Sequence, residues 1–434
     1  MQKLKFYHYF LFLYCFFPFT FKTARIIQLL ITYGIAFVYV MFNFSLLVKK
    51  INSKFFLNSV WLNLLVFASL LLIPSLITFT NDFGFLIQYF ASYRSILLIL
   101  CINMILIRYG VGDWKEIATI FIKTVSLYVF FSLILLIPSI HKFWMNIIFL
   151  TETNQEAASG IVYYTRFGLQ GFSGWGHTIL CSIAVCLFWV LKIKGEKLSY
   201  FYYFLCLLGC AMYGRSGLLV SMMISFVSSL IAFKYKKIKY FMFFLMVGII
   251  LYVLLLAYMN SSLSNHYNAF SWMLEPFVNI LNGNKNASSS SDVLKSMYAH
   301  FHIENVKALL IGEGRYTGDH GHYYKSTDVG FMRPLYFGGL FFESLYYIGI
   351  LLLFLSASQN IEKKYRKVFF ILLGISFLVF ELKGESYFMF TRVLLLFCFK
   401  GSRKENINDI SFYNKSIQSG RSGKSFFKYC FGCK

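Results

Sequence analysis

The sequence predicts an all-α polytopic membrane protein, and three observations carry that prediction. Of its 434 residues, 58% are hydrophobic and 14% charged, a balance that leaves a soluble domain without enough polar skin. Apolar runs of about 20 residues, enough helix to cross about 30 Å of hydrocarbon, recur from one end of the chain to the other. The runs are continuous and do not alternate, which excludes a closed β-barrel.

In chain order the runs are 6–21, 26–47, 56–79, 86–107, 117–139, 177–193, 199–213, 216–233, 240–258, 337–356, 368–382 and 384–399, twelve in all. The first has the basic start and apolar stretch of a signal peptide. However, Phe19-Thr-Phe-Lys-Thr-Ala-Arg25 offers no small-residue cleavage site, so it reads as a retained helix. The next eight bring the chain to residue 258, with a loop near 140–176 interrupting them. Residues 259–336 form the one large extramembrane loop, 337–399 hold the last three runs, and 400–434 form a basic tail. The last two runs are short; they are kept separate because fusing them would carry the tail to the opposite face. Glu381-Leu-Lys-Gly-Glu385 is then the turn between them.

Orientation follows from Lys and Arg, which accumulate in cytoplasmic loops. Lys49-Lys50 with Lys54, Lys192 to Lys197, Lys234 to Lys239, Lys363 to Lys367 and the tail from Lys400 all fall on one face of a twelve-span count. Both termini are thereby cytoplasmic, and the net charge of +23 reports topology rather than nucleic-acid binding. Loops 140–176 and 259–336 then lie outside. Of the nine cysteines, Cys430 and Cys433 close the tail and none lies in either outer loop, so no disulfide holds those loops.

Within the large loop, Phe270, Met273, Phe277, Ile280 and Leu281 have the spacing of a surface helix. Asn282 to Ser291 reads as an Asn/Ser-rich linker. Ser291 could cap a helix to about Leu310, with Val293, Leu294, Met297, Phe301, Val306 and Leu309 apolar. No repeat, Walker motif or dinucleotide fingerprint appears.

Three segments carry groups suited to chemistry. Arg166-Phe-Gly-Leu-Gln-Gly-Phe-Ser-Gly-Trp-Gly-His177 is a Gly-rich loop running into the sixth span; glycines let backbone N–H groups approach an anion, and a guanidinium forms paired bonds to phosphate oxygens. A headgroup-binding Arg is the plainer reading. Gly214-Arg215-Ser-Gly-Leu-Leu is a tight turn that places Arg215 at the outer edge, where charge bias disfavours it; a snorkelling Arg would explain it equally well. The third segment closes the large loop with Glu313, Arg315, Asp319, His320, His322, Lys325, Asp328 and Arg333. His320-Gly-His322 between acids lacks a third-ligand spacing, so no metal site is expected.

These residues together resemble the O-antigen polymerases of the Wzy type, relatives of the O-antigen ligases. The resemblance rests on Arg166 with its Gly-rich run, the Gly-Arg215-Ser-Gly-Leu-Leu turn, and Thr327-Asp-Val-Gly-Phe-Met-Arg333-Pro-Leu-Tyr-Phe-Gly-Gly. It spans most of the chain in topology and about thirty residues in motif. It implies a GT-C-like membrane glycosyltransferase of the bacterial inner membrane, acting without metal or cofactor on undecaprenyl-pyrophosphate-linked oligosaccharide at the periplasmic face, with a chain-length regulator as a candidate partner. The ligase pattern of a His followed by Asn is only approximated by His320-Gly-His322.

Moving a glycan from a lipid pyrophosphate to a hydroxyl requires a stabiliser for the departing anion and an acceptor for a proton. Arg166, Arg215, Arg315 and Arg333 are the candidates for the first task, and His320, His322 and Asp328 for the second. An intramembrane Arg392 is functional by default, or else pairs with Glu343, Glu381 or Glu385. Trp175, Tyr323 and Tyr324 are placed for glycan contact. The rival readings are an O-antigen ligase and a lipid-linked oligosaccharide flippase, although the two similar halves of a transporter are not found.

Overall fold

The computed structural model describes residues 6–50, 53–150, 166–172, 174–234, 242, 275, 277–283, 289–318 and 323–399. Its helices, in chain order, are α1 (Phe6–Phe16), α2 (Arg25–Phe42), α3 (Phe44–Lys50), α4 (Lys54–Leu72), α5 (Gly84–Arg108), α6 (Trp114–Ile134), α7 (Pro138–Ile147), α8 (Trp175–Lys194), α9 (Tyr200–Tyr213), α10 (Arg215–Lys234), α11 (Ser289–Ala299), α12 (Val306–Ile311), α13 (Met332–Gln359), α14 (Lys363–Glu381) and α15 (Tyr387–Phe397). The one sheet among the described residues is a hairpin of two-residue strands, β1 (Phe167–Gly168) and β2 (Gly171–Phe172).

Seven of the described helices are long and apolar enough to cross a membrane, so this is a multi-pass membrane protein. They correspond to the runs expected at 26–47, 56–79, 86–107, 117–139, 177–193, 216–233 and 337–356. The other expected spans differ. α1 and α15 have 11 residues each and α9 has 14, so at about 1.5 Å per residue none reaches 30 Å by itself. α1 stops at Phe16 because Pro18 cannot continue it; Phe21 instead makes an isolated antiparallel bridge with Ile148. α14 has the length but begins Lys363-Lys-Tyr-Arg-Lys367. The run at 240–258, most of the surface helix at 270–281 and the tail at 400–434 lie outside the described residues.

Burial sorts the helices. α8 is central: every residue from His177 to Ile193 is buried, and 89% of its most apolar stretch is inside the protein, against 11% for α2. α6, α9, α10 and α14 surround it, while α2 offers its Ile and Phe side chains to lipid. Small residues permit the closest approach, as in other membrane bundles. Thr178 on α8 donates to the carbonyls of Cys210 (3.2 Å) and Gly214 (3.3 Å), and a Cβ at Gly217 would run into its hydroxyl. Elsewhere Ser59 of α4 donates to Gly349 O of α13 at 2.8 Å, and Asn103 of α5 to Leu395 O of α15 at 3.1 Å.

The helix expected from Ser291 to Leu310 is two helices, α11 and α12. The chain extends between them, and Asn305 restarts the helix by accepting from Ala308 N at 2.8 Å, a side-chain cap. α12 then meets a break in α13, where Gly339 takes φ +63°. That break frees the carbonyls of Tyr336 and Phe337, which accept from Glu313 N (2.7 Å) and Gly314 N (2.9 Å). A Cβ on Gly339 would collide with the backbone at Leu310, so at this point the loop and the helix meet backbone to backbone, while Phe301 and Tyr324 pack on Tyr336 beside it.

Candidate anion-binding cleft

Four helices, α8, α10, α13 and α15, begin around a cleft of about 620 Å³. α11 covers one side of it with Val293, Leu294 and Met297, and α5 adds Gln88 and Ser92. The cleft thus collects helix N-termini, whose unpaired N–H groups favour negative charge.

Each arginine reaches the cleft by a local device. Arg166 precedes the β1–β2 hairpin, which pairs Phe167 with Phe172 and Gly168 with Gly171. α7 pins the hairpin: Trp144 Nε1 donates to Leu169 O at 2.8 Å, and His141 packs 4.2 Å from the Phe167 ring. Gly171 takes φ +87° against Leu150. Burial lowers the pKa of Arg166. Arg215 is the first residue of α10, is 6% exposed, and is ion-paired with Glu275.

Arg333 sits in the first turn of α13 and is 7% exposed. Its Nη1 bonds Glu385 Oε2 at 2.9 Å and its Nη2 donates to Gln88 Oε1 at 3.0 Å. Gln88 closes the triangle by donating to Glu385 Oε2 at 2.7 Å. The guanidinium lies 3.7 Å from the Tyr323 ring centre and 4.5 Å from that of Tyr316. Arg333 Nε is buried with no partner among the described residues.

The backbone around Arg333 is fixed from two directions. Asp82 accepts from Gly84 N, at the start of α5, at 2.8 Å and holds the loop end through Tyr316 N and Thr317 N, both at 2.7 Å. Glu381, 4% exposed, accepts from Ser386 N (2.7 Å) and Tyr387 N (2.9 Å), capping α15 from the preceding helix. Its own carbonyl takes Gly330 N at 3.0 Å. The segment Thr327–Arg333 is therefore tied to the α14–α15 turn.

The structure brings together Arg166, Arg215, Arg333 and Asp328, which all line the cleft. Asp328 lines the rim of the cleft, is exposed to solvent, and has no ion-pair partner among the described residues; the protein packed around it raises its pKa above the ordinary carboxylate value. Arg315 is not brought in. It is exposed, 5.8 Å from the Tyr324 ring centre. It stands by a cluster in which Glu313 accepts from Tyr324 (2.6 Å) and Lys325 (2.8 Å). That bond occupies Tyr324, whereas Trp175 and Tyr323 do line the cleft. His320 and His322 lie outside the described residues. Arg392 lines the cleft and, of its two readings, does not show the ion pair: among the described residues its hydrogen bond is Nη1 to Met389 Sδ at 3.7 Å, with Glu385 bonded to Arg333 and Glu381 capping α15.

Sequence reasoning missed Gln88, Lys383 and Glu385 as lining residues. The turn carrying Lys383 and Glu385 had been placed on the face of the large loop, and that parity was the available signal. Gln88 and Ser92 are i, i+4 neighbours on α5, a polar pair in an apolar run. Five cationic side chains, Arg166, Arg215, Arg333, Lys383 and Arg392, face two carboxylates, Asp328 and Glu385, across the cleft. Comparison with protein families, curated proteins and solved structures finds no match to this chain.

Proposed function

We propose that the protein is a membrane glycosyltransferase of the O-antigen polymerase type. It transfers a growing glycan from undecaprenyl pyrophosphate to the next lipid-linked repeat unit. The observation that carries this reading is the convergence of Arg166, Arg215 and Arg333, drawn from three distant parts of the chain, on one cleft with Asp328.

In the proposed reaction a hydroxyl oxygen of the acceptor repeat attacks the anomeric carbon of the donor glycan. The bond from that carbon to the phosphate oxygen breaks, its electron pair leaves with undecaprenyl pyrophosphate, and the hydroxyl proton passes to the Asp328 carboxylate. Arg166 and Arg215 stabilise the departing anion, and Arg333 adds the Nε that Glu385 and Gln88 leave free. Donors fixed in position in this way each accelerate such a step about 10²–10³-fold. They take the place a divalent ion would otherwise fill. Trp175 and Tyr323 offer aromatic faces to the sugars.

The topology belonging to this reading counts α1, α9, α14, α15 and the run at 240–258 as spans beside the seven long helices, and has cytoplasmic termini and the 259–336 loop in the periplasm, with a chain-length regulator as partner. The surface-glycan pattern of a deletion strain tests it. Core carrying a single repeat supports a polymerase; core carrying no glycan indicates a ligase or flippase instead.

A further inference from the structure

Lys383 is a cationic lining residue that the proposed reaction leaves without a role. It lies on the α14–α15 turn, half-buried, and its ammonium donates to Ser216 Oγ at the start of α10. It stands 5.4 Å from the ring centre of Trp175 at the start of α8. The charged groups facing it are Arg215 from α10 and Arg166 from the hairpin loop. Glu275 is engaged by Arg215, and Glu385, on its own turn, by Arg333 and Gln88. No carboxylate pairs with Lys383 among the described residues. Burial first, and the two arginines second, lower its pKa to about 8. Asp328 and Glu385 share the cleft but neither pairs with Lys383, so a lysine gathered with two arginines is favoured when a further anion joins them.

We infer that Lys383 is a ligand of the anion that occupies this cleft, bonding a phosphate oxygen beside Arg166 and Arg215, and that its protonation sets the upper pH limit of binding. The inference rests on the diphosphate reading of the cleft. The sign follows from linkage: in the empty cleft Lys383 loses its proton as pH rises through about 8, whereas a bound anion holds the proton on. Binding therefore takes up a proton on the alkaline side, and affinity falls about tenfold for each pH unit above 8.

The test is calorimetric binding of P1-geranyl P2-methyl diphosphate to the purified full-length protein between about pH 7 and pH 9.5, a range over which the probe's two charges do not titrate. Wild type should weaken by about tenfold or more across that range. Lys383→Arg should bind with no pH dependence, because a guanidinium stays charged. Lys383→Met should bind weakly at every pH while unfolding at the wild-type temperature. Arg166→Ala should bind weakly and keep a pH dependence that begins at higher pH, because Arg166 is one of the groups that lower the Lys383 pKa. Wild-type affinity that does not change with pH, or a pH dependence that survives in Lys383→Arg, overturns the role of Lys383 and leaves the anion reading intact. A wild type that binds no probe at any pH overturns both.

Discussion

Arg333 lies against the rings of Tyr323 and Tyr316 while Glu385 and Gln88 take N–H groups of its two terminal nitrogens, an arrangement a lysine cannot reproduce because its ammonium is a point charge. Arg333→Lys should therefore insert normally yet leave single-repeat glycan. Arg166→Ala and Arg215→Ala should slow the reaction about 10²–10³-fold. Full-length glycan ladders from the Lys variants at all three positions would return these residues to headgroup contacts. In the proposed reaction Asp328 and Lys383 should set the two limbs of the pH profile. The protein around Asp328 raises its pKa, so activity should be lost as pH falls through that raised value and the proposed base becomes protonated. Lys383 should impose the alkaline limb near its pKa of about 8. Rates of undecaprenyl pyrophosphate release across pH should show Asp328→Asn inactive at every pH and Lys383→Arg with its alkaline limb moved upward; a Lys383→Arg profile identical to wild type would contradict this. Arg166, Arg215 and Arg333 stand out in the sequence because each lies near glycines on the face expected to be outside; Arg315, in Gly312-Glu-Gly-Arg315, stands out on the same grounds and stays out of the cleft. Glu385 and Gln88 were not, since their roles arise only when α5, α13 and the α14–α15 turn meet.

At the scale of elements, the apolar runs located the helices, but their ends answer to packing. Pro18 announced the end of α1 in the sequence. The division of α11 from α12 depended on a cap at Asn305 within a stretch whose apolar spacing had suggested one helix. The Gly338-Gly339 pair was visible, yet its purpose is tertiary: it frees two carbonyls for the loop end that delivers Tyr316 to Arg333. Gly339→Ala forces a side chain into φ +63° and into the backbone at Leu310, which costs about 1–3 kcal/mol. Its unfolding temperature in detergent should fall below that of wild type, and activity should fall with it. An unchanged transition would mean the loop docks by other means.

Over the whole molecule, the composition determines the class, and the seven long apolar helices bear out a multi-pass membrane protein. The distribution of basic residues makes a separate statement about sidedness. Reporter fusions at Asn286 and at Gln418, both outside the described residues, should report periplasm and cytoplasm respectively. A cytoplasmic signal at Asn286 would put the cleft on the wrong side for a periplasmic polymerase. The most direct measurement of the central claim is reconstitution of the purified protein with a synthetic undecaprenyl-pyrophosphate-linked repeat unit, with EDTA present throughout. The account predicts products of two and more repeats, with one undecaprenyl pyrophosphate released per linkage; loss on chelation with rescue by Mg²⁺ or Mn²⁺ would contradict the arginine mechanism, and products that never exceed a single repeat would contradict the assignment itself.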